Sequence, residues 1–162
     1  MKDKIRDRED LRNILGELRA KGKRVVFTNG CFDLLHIGHL RYLEKAKALG
    51  DILVIGVNSD HSVRDLKGPK RPLLPEAERA EILSGLECVD YVTIFNEPTP
   101  FEIISLFQPH ILVKGGDWSE EDVVGREVVE GLGGKVVIIP FVKGSSTTNL
   151  IETIVKRYEK KT

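Results

Sequence analysis

Long apolar runs are missing from this 162-residue chain. No stretch approaches the roughly 20 residues needed to cross a bilayer, so no membrane role is expected. Excess charge of one sign is missing too, with 25 Lys+Arg against 25 Asp+Glu. A balanced chain has no long-range field to gather nucleic acid or an anionic membrane, so any anion site must be local. Aromatic residues are few, at 6%, and do not interleave with the basic stretches, which excludes a base-stacking surface. Only two cysteines occur, Cys31 and Cys88, far apart and without metal-ligand spacing. That excludes a disulfide framework and makes a reducing cytoplasm the expected home. The first ten residues are charged, which argues against a secretory leader. Gln occurs once beside many Lys and Glu, a composition trend of heat-adapted proteins.

What is present is a balance of 41% hydrophobic and 31% charged residues, typical of a globular domain. Repeats, low-complexity stretches and linkers are lacking, so one domain over residues 1–162 is expected, with an N-terminal helix at about 8–20 and a catalytic core at about 21–156. Strand and helix signals alternate throughout. Leu11, Ile14, Leu15 and Leu18 fall at helical spacing in 8–20. Helices are also expected at 37–49, 76–85, 100–107, 123–132 and 147–159, the last capped by Ser146 or Thr147. Strands are expected at 24–28, 51–57, 91–95, 110–113 and 135–140, and a loop rich in Lys, Arg, Gly and Pro at 65–75. The strands are unbroken β-branched runs, the pattern of a parallel sheet buried on both faces. The fold class is therefore α/β, a three-layer sandwich, with ligands expected beyond the carboxyl ends of the strands.

The densest chemistry follows the first strand, in Thr28-Asn29-Gly30-Cys31-Phe32-Asp33-Leu34-Leu35-His36-Ile37-Gly38-His39. Gly30 suits a tight turn and close approach of a ligand to the backbone. His36 and His39 are three apart where Gly38 opens a helix, so both rings share one face. A helix N-terminus favours anions, and two imidazoles there would meet phosphate oxygens as donors. A zinc reading needs a third ligand and none is near in sequence, so no metal ligand is assigned. His61 and His110 stand isolated and read as structural or exposed. Lys114 follows a strand and precedes Gly115-Gly116, where its amine can swing to a phosphate. Asp117 is placed to accept from a ribose hydroxyl or to cap the turn before Trp118. Ser146, Thr147 and Thr148 would cap the last helix and offer it to phosphate. Lys47, in the helix after the histidines, is a further candidate for the triphosphate. Cys31 has no nearby base and reads as a packed spacing residue. Asp33 is expected to fix its own turn through backbone hydrogen bonds.

The 28–39 stretch resembles the T/N-G-x-F-D-x-x-H-x-G-H signature of the cytidylyltransferase-like nucleotidyltransferases. These enzymes join an acceptor phosphate to the α-phosphate of a nucleoside triphosphate and release pyrophosphate. Further matches follow in order. Arg71-Pro72-Leu73 with Glu78-Arg79 is similar to the basic loop and helix that reach the triphosphate. Val113-Lys114-Gly115-Gly116-Asp117-Trp118 is similar to the V-K-G-x-D-[WY] motif, and Gly144-Ser145-Ser146-Thr147-Thr148-Asn149 to the S-T-T segment. The likeness runs from about Lys21 to Lys156. It implies a Rossmann-like three-layer α/β/α sandwich with a five-stranded parallel sheet. It implies catalytic roles for His36, His39, Lys114 and Arg79. It implies nucleotide contacts at Thr28, Asn29, Gly30, Cys31, Phe32, Asp33, Gly38, Lys47, Gly115, Asp117, Ser146, Thr147 and Thr148.

Within that family the segments T-N-G-C-F-D (28–33), V-N-S-D (57–60), L-K-G-x-x-R-P (66–72), V-K-G-G-D (113–117) and S-T-T-N (146–149) most resemble the adenylyltransferase of ADP-heptose synthesis. In many bacteria that enzyme is the second half of a fused kinase–adenylyltransferase; without the kinase half, a free-standing form is expected here. The resemblance implies ATP and the sugar phosphate D-glycero-β-D-manno-heptose 1-phosphate as substrates, Mg²⁺ accompanying the triphosphate, and a homo-oligomer, a dimer. One departure stands out. Several branches carry S-S-T-x-x-R, whereas Leu150 occupies the arginine position here. That argues against pantetheine-phosphate and nicotinate-nucleotide transfer. A cytidylyltransferase using CTP and glycerol 3-phosphate, and a nucleotide-binding module without catalysis, remain as rivals.

Overall fold

The computed structural model describes residues 2–116 and 118–159. Strands Val25–Gly30 (β1), Ile52–Asn58 (β2), Tyr91–Phe95 (β3), Ile111–Gly115 (β4) and Lys135–Ile139 (β5) form one parallel sheet in the order β3-β2-β1-β4-β5. Seven α-helices are described: Arg8–Ala20 (α1), Ile37–Lys47 (α2), Asp60–Lys67 (α3), Glu76–Ser84 (α4), Phe101–Phe107 (α5), Arg126–Gly131 (α6) and Thr147–Tyr158 (α7). Among the described residues no helix is long and apolar enough to cross a membrane.

The continuous apolar runs explain the layering. Successive strand residues point to opposite faces, so Val25-Val26-Phe27 must bury both. Val25 and Phe27, with Val54 and Leu112, pack against Leu11 and Leu15 of α1, Ile103 and Phe107 of α5, and Val129 of α6. Val26, Ile55 and Val113 pack on the other face against Leu43 and Ala46 of α2 and Leu83 of α4. Each fully buried Val, Leu or Phe contributes about 1.5–3 kcal/mol, so both faces hold the sheet. The α/β/α sandwich and its five parallel strands are as the sequence predicts.

The chain runs β1, β2, β3 in one direction, then returns to place β4 on the other side of β1. This reversal opens a crevice at the carboxyl ends of β1 and β4. Helix α2 leaves β1 there. The α3–α4 region rises from β2, and the segment leading into α7 from β5. None of α7's residues is buried.

Two local differences separate the structure from the sequence pattern. Asp60–Lys67 is helical although its sequence reads as polar loop. Ser59 caps it, its Oγ accepting from Ser62 N at 3.1 Å, while Val63 alone supplies a buried apolar side chain. Helix α6 spans only Arg126–Gly131, because Gly125 just before it takes a left-handed backbone at φ 88°. His61 lies exposed on α3 beside Asp65 at 3.3 Å, while His110 Nδ1 accepts from Val25 N at 2.9 Å.

Candidate active site

The histidine pair sits at the mouth of the crevice. His36 is the N-cap of α2, and its Nδ1 accepts from Gly38 N at 3.1 Å. His36 N donates to His39 Nδ1 at 3.3 Å. The two rings stack with centroids 3.9 Å apart. With each Nδ1 accepting, each ring is neutral and carries its proton on Nε2. Burial pushes the His39 pKa down to about 4, with the neighbouring His36 adding to the effect. Burial lowers His36 as well. The pair is thus two aligned neutral donors on a helix N-terminus, a geometry suited to phosphate oxygens.

Surrounding residues hold this arrangement. Phe32 takes a left-handed backbone at φ 47°, and its ring centroid lies 5.5 Å from that of His39. Gly30 was expected to serve a tight turn and a ligand. A Cβ there would lie 3.0 Å from the Phe32 ring, so Gly30 also makes room for that wedge. A Cβ on Gly38 would lie 2.9 Å from the His36 ring and 3.1 Å from Ser145 Cβ. Only glycine lets the capping ring and the pre-α7 segment meet. Tyr42, one turn after His39, donates to Val113 O at 3.4 Å and shares a 2.6 Å hydrogen bond with Thr28 Oγ1. Burial pushes its phenol up to about 12, against the opposing effect of Thr28. Tyr42 ties α2 to β1 and β4 behind the histidines. The Thr28 hydroxyl is therefore buried and engaged rather than facing a ligand.

The S-T-T segment meets the same loop. Ser146 Oγ accepts from Asn149 N at 3.0 Å and caps α7. Thr147 Oγ1 donates to Leu34 O at 3.1 Å, joining the start of α7 to the histidine loop. Thr148 is exposed. Lys114, at the end of β4, places Nζ 5.3 Å from the Trp118 ring centroid. Burial lowers its pKa, with Cys31 opposing and Lys67 reinforcing. Asn29 joins Lys114 and Trp118 in lining a cleft beside Val123. Gly115 closes β4 against the Tyr42 ring, 3.2 Å from where its Cβ would stand. Cys31 is half-buried, and burial pushes its thiol up. Asp117 lies outside the described residues.

Three assignments change. Arg79 was expected to reach the triphosphate, but its side chain is fully buried. It donates from Nε to Leu74 O at 3.0 Å, from Nη1 to Cys31 O at 2.6 Å and from Nη2 to Asp60 Oδ1 at 2.8 Å. It clamps three segments together. Lys47 lies at the far end of α2, where Nζ meets Asp90 Oδ2 and Asp51 O ahead of β3 and β2, so it stands below the sheet and away from the histidines. Asp33 fixes a different segment from its own turn. It accepts from Leu73 N and Leu74 N, both at 2.9 Å, and from Arg71 Nε at 2.6 Å. Burial opposes its ionisation, but Leu74, Leu73 and Arg71 outweigh that and hold the carboxyl below its usual range. Its oxygens are spent on the chain, not offered to a nucleotide. Arg71, which the resemblance places in the basic loop that reaches the triphosphate, is thereby fastened through Nε to a buried carboxylate.

A family model described as Cytidylyltransferase-like matches residues 27–154. The chain belongs to the cytidylyltransferase-like family. It is a nucleotidyltransferase by that membership. Two relatives, each named "Bifunctional protein HldE", come from Pelobacter propionicus and Syntrophotalea carbinolica. They are 59% and 60% identical over 96% of this chain. The chain spans 32% of the length of each, about a third. A crystal structure of the lipopolysaccharide core biosynthesis protein from Thermoplasma volcanium has a TM-score of 0.63 and 31% identity, covering 76% of this chain and 100% of that one.

Proposed function

We propose that this family member transfers AMP from ATP to D-glycero-β-D-manno-heptose 1-phosphate, giving ADP-heptose and pyrophosphate. The stacked His36–His39 pair carries the reading, since it offers two neutral Nε2–H donors at one point of the crevice. The names of the HldE relatives and of the lipopolysaccharide core biosynthesis protein support the sugar-nucleotide assignment.

A sugar phosphate is already an anion at neutral pH, so no side chain need act as general base. One of its oxygens attacks the α-phosphorus of ATP. The bond from that phosphorus to the bridging oxygen breaks, and pyrophosphate leaves with the electron pair. The barrier lies in bringing two anions together, so the protein works by positioning and by neutralising charge in the transition state. His36 and His39 donate to α- and β-phosphate oxygens. Lys114 adds positive charge. The free N–H groups at the start of α7, with Ser146, Thr147 and Thr148 around them, take the β- and γ-phosphates.

Among the described residues no group of three His, Cys, Asp or Glu converges to hold a metal, and the Asp33 carboxylate is spent on the chain. The ion expected is a Mg²⁺ carried on the triphosphate. Such an ion neutralises phosphate charge when bound. We further propose a cytoplasmic homodimer, to be checked by sedimentation of the purified chain.

The test is pyrophosphate release by the purified chain with ATP or CTP against heptose 1-phosphate or glycerol 3-phosphate. ATP with heptose 1-phosphate should turn over fastest. Faster turnover of CTP with glycerol 3-phosphate would replace the proposal with the cytidylyltransferase reading. No turnover with any pair would replace it with a binding module.

A further inference from the structure

Beside the histidines the crevice has a second recess, in which only Lys114 serves the transfer chemistry. It lies between the ends of β1 and β4, the start of α5 and the segment leading into α6. Trp118, Pro100 and Val123 give it apolar walls, and Asn29, Lys114 and Asp122 bring polar groups to the same space. Val123 is buried, whereas Trp118 is 51% exposed and keeps half its surface open. A cleft with apolar walls and a few converging polar groups is the common form of a small-molecule site.

The pleat of the sheet puts this recess on the face away from the histidines. Thr28 meets Tyr42 of α2, whereas Phe27 packs toward α1 and α5. Side chains alternate along a strand, so Asn29 shares the face of Phe27. On β4, Val113 packs with Leu43 of α2 and Leu112 with Ile104 of α5, so Lys114 shares the face of Leu112. Helix α2, which His36 caps and His39 begins, covers the opposite face. The crevice therefore has a phosphate side at the start of α2 and a second side at Asn29 and Lys114.

The polar groups of the recess are free to meet a ligand. The Asn29 amide and the Asp122 carboxylate have no hydrogen-bond or ion-pair partner among the described residues. Asp33, by contrast, is spent on Leu73, Leu74 and Arg71. An ionised carboxylate only accepts, an amide both donates and accepts, and a sugar hydroxyl does both. The face of an indole is the negative part of its quadrupole, which suits the C–H side of a pyranose ring. Lys114 Nζ stands 5.3 Å from the centroid of the Trp118 ring. In a sugar 1-phosphate the phosphate hangs on the ring carbon through one oxygen. A pyranose laid against Trp118 therefore brings its phosphate within reach of Lys114. A purine would also stack, but adenine offers a carboxylate one amine, whereas a heptose offers hydroxyls in series.

We propose that this recess holds the sugar of the acceptor, with the pyranose against Trp118 and its hydroxyls on Asn29 and Asp122. This rests on the adenylyl-transfer reading above. It makes Trp118 and Asp122 the residues that tell a heptose phosphate from a small phosphorylated alcohol. A site built to hydrogen-bond a substrate hydroxyl rejects acceptors that lack it, because its own polar groups are then left unpaired. Glycerol 3-phosphate has no ring to lay on Trp118.

Trp118 is the only tryptophan of the chain, so its fluorescence reads the recess without turnover. Heptose 1-phosphate, added alone or over a saturating non-hydrolysable ATP analogue, should change the emission of the purified chain saturably. Inorganic phosphate at the same concentrations should not. Asp122→Asn, a change at an exposed side chain, should raise the half-saturating concentration of heptose 1-phosphate at least fivefold and keeps the test decisive should a Trp118 variant fail to fold. In the turnover assay, Trp118→Ala should raise the KM for heptose 1-phosphate tenfold or more and the KM for ATP less than threefold. Trp118→Phe keeps a stacking face and should stay within threefold of wild type for both. An equal emission response to phosphate, a rise in the KM for ATP alone, or equal rises for both substrates overturns the proposal. The two readings fail separately. A saturable emission change with heptose 1-phosphate, weakened by Asp122→Asn, supports the sugar recess even where turnover is absent. Turnover of heptose 1-phosphate with no emission change and an unaltered KM in Trp118→Ala sinks the recess alone.

Discussion

His36 and His39 share one exchange of backbone and ring: His36 N donates to His39 Nδ1 at 3.3 Å, and the two rings stack at 3.9 Å. The cap of α2 and the ligand-facing donors are therefore the same two side chains. Loss of one ring disturbs both.

For His39→Ala, turnover should fall by about two orders of magnitude or more, with only a modest change in ATP binding. A donor that strengthens toward a transition-state oxygen acts on the rate rather than on ground-state affinity. Steady-state kinetics and ATP titration check this, and a variant keeping more than half of wild-type turnover sinks the assignment.

The same pair sets a pH signature. The His39 pKa falls from the ordinary 6.5 to about 4 on folding. Between those values the unfolded chain binds more protons than the folded one, so stability is full above about 6.5 and declines as the pH drops toward 4. His36 shifts in the same direction. Melting temperatures from pH 7 to pH 4 should fall for the wild type and fall less for His39→Asn. Turnover should show no His39 limb between about pH 5.5 and 8, because His39, lowered to about 4, stays neutral there.

Arg79 makes a different kind of prediction. Its guanidinium is buried and serves Asp60, Leu74 O and Cys31 O. Arg79→Met should cost about 3 kcal/mol in urea unfolding, since removing one partner of a buried ionic network leaves the others unpaired. An equally stable Arg79→Met variant with a raised KM for ATP would return Arg79 to the triphosphate.

Much of this was legible in the sequence. The β-branched runs marked every strand, because a strand buried on both faces is filled chiefly by apolar side chains. The T-N-G-C-F-D-x-x-H-x-G-H stretch marked the histidine site, because its chemistry is local to one strand, one loop and one helix start. The destinations of Arg79 and Arg71 were not legible in the same way. Both are arginines near one motif, and only tertiary packing sends one inward and the other to the rim. A signal for Arg79 did exist: it lies four residues before buried Leu83, on the inner face of α4. Helix α3 escaped notice because Val63 is its single buried apolar side chain and its cap, Ser59, looks like any loop serine. Lys47 was avoidable. A rise of about 1.5 Å per residue over the 11 residues of α2 carries it roughly 16 Å from the helix start.

Lys47→Ala should accordingly leave turnover and the KM for ATP unchanged. Its ion pair with Asp90 is about a third exposed on both sides, so its loss should cost no more than about 1 kcal/mol. A tenfold loss of turnover without a loss of stability would place Lys47 at the phosphates after all.

Gly38→Ala tests the histidine geometry with one methyl group. By helix propensity alone alanine should stabilise this position by roughly 1 kcal/mol over glycine. The new Cβ, however, would stand 2.9 Å from two atoms of the His36 ring and 3.1 Å from Ser145 Cβ. Either the ring swings off its cap or the segment before α7 retreats from α2. Both outcomes separate donors that must converge on one triphosphate. Turnover should drop at least tenfold, while urea unfolding shows a change no larger than about 2 kcal/mol, the ordinary cost of an overpacked site. Gly38→Ala with near-wild-type turnover would mean that the stacked pair and the α7 N-terminus do not act on the same substrate.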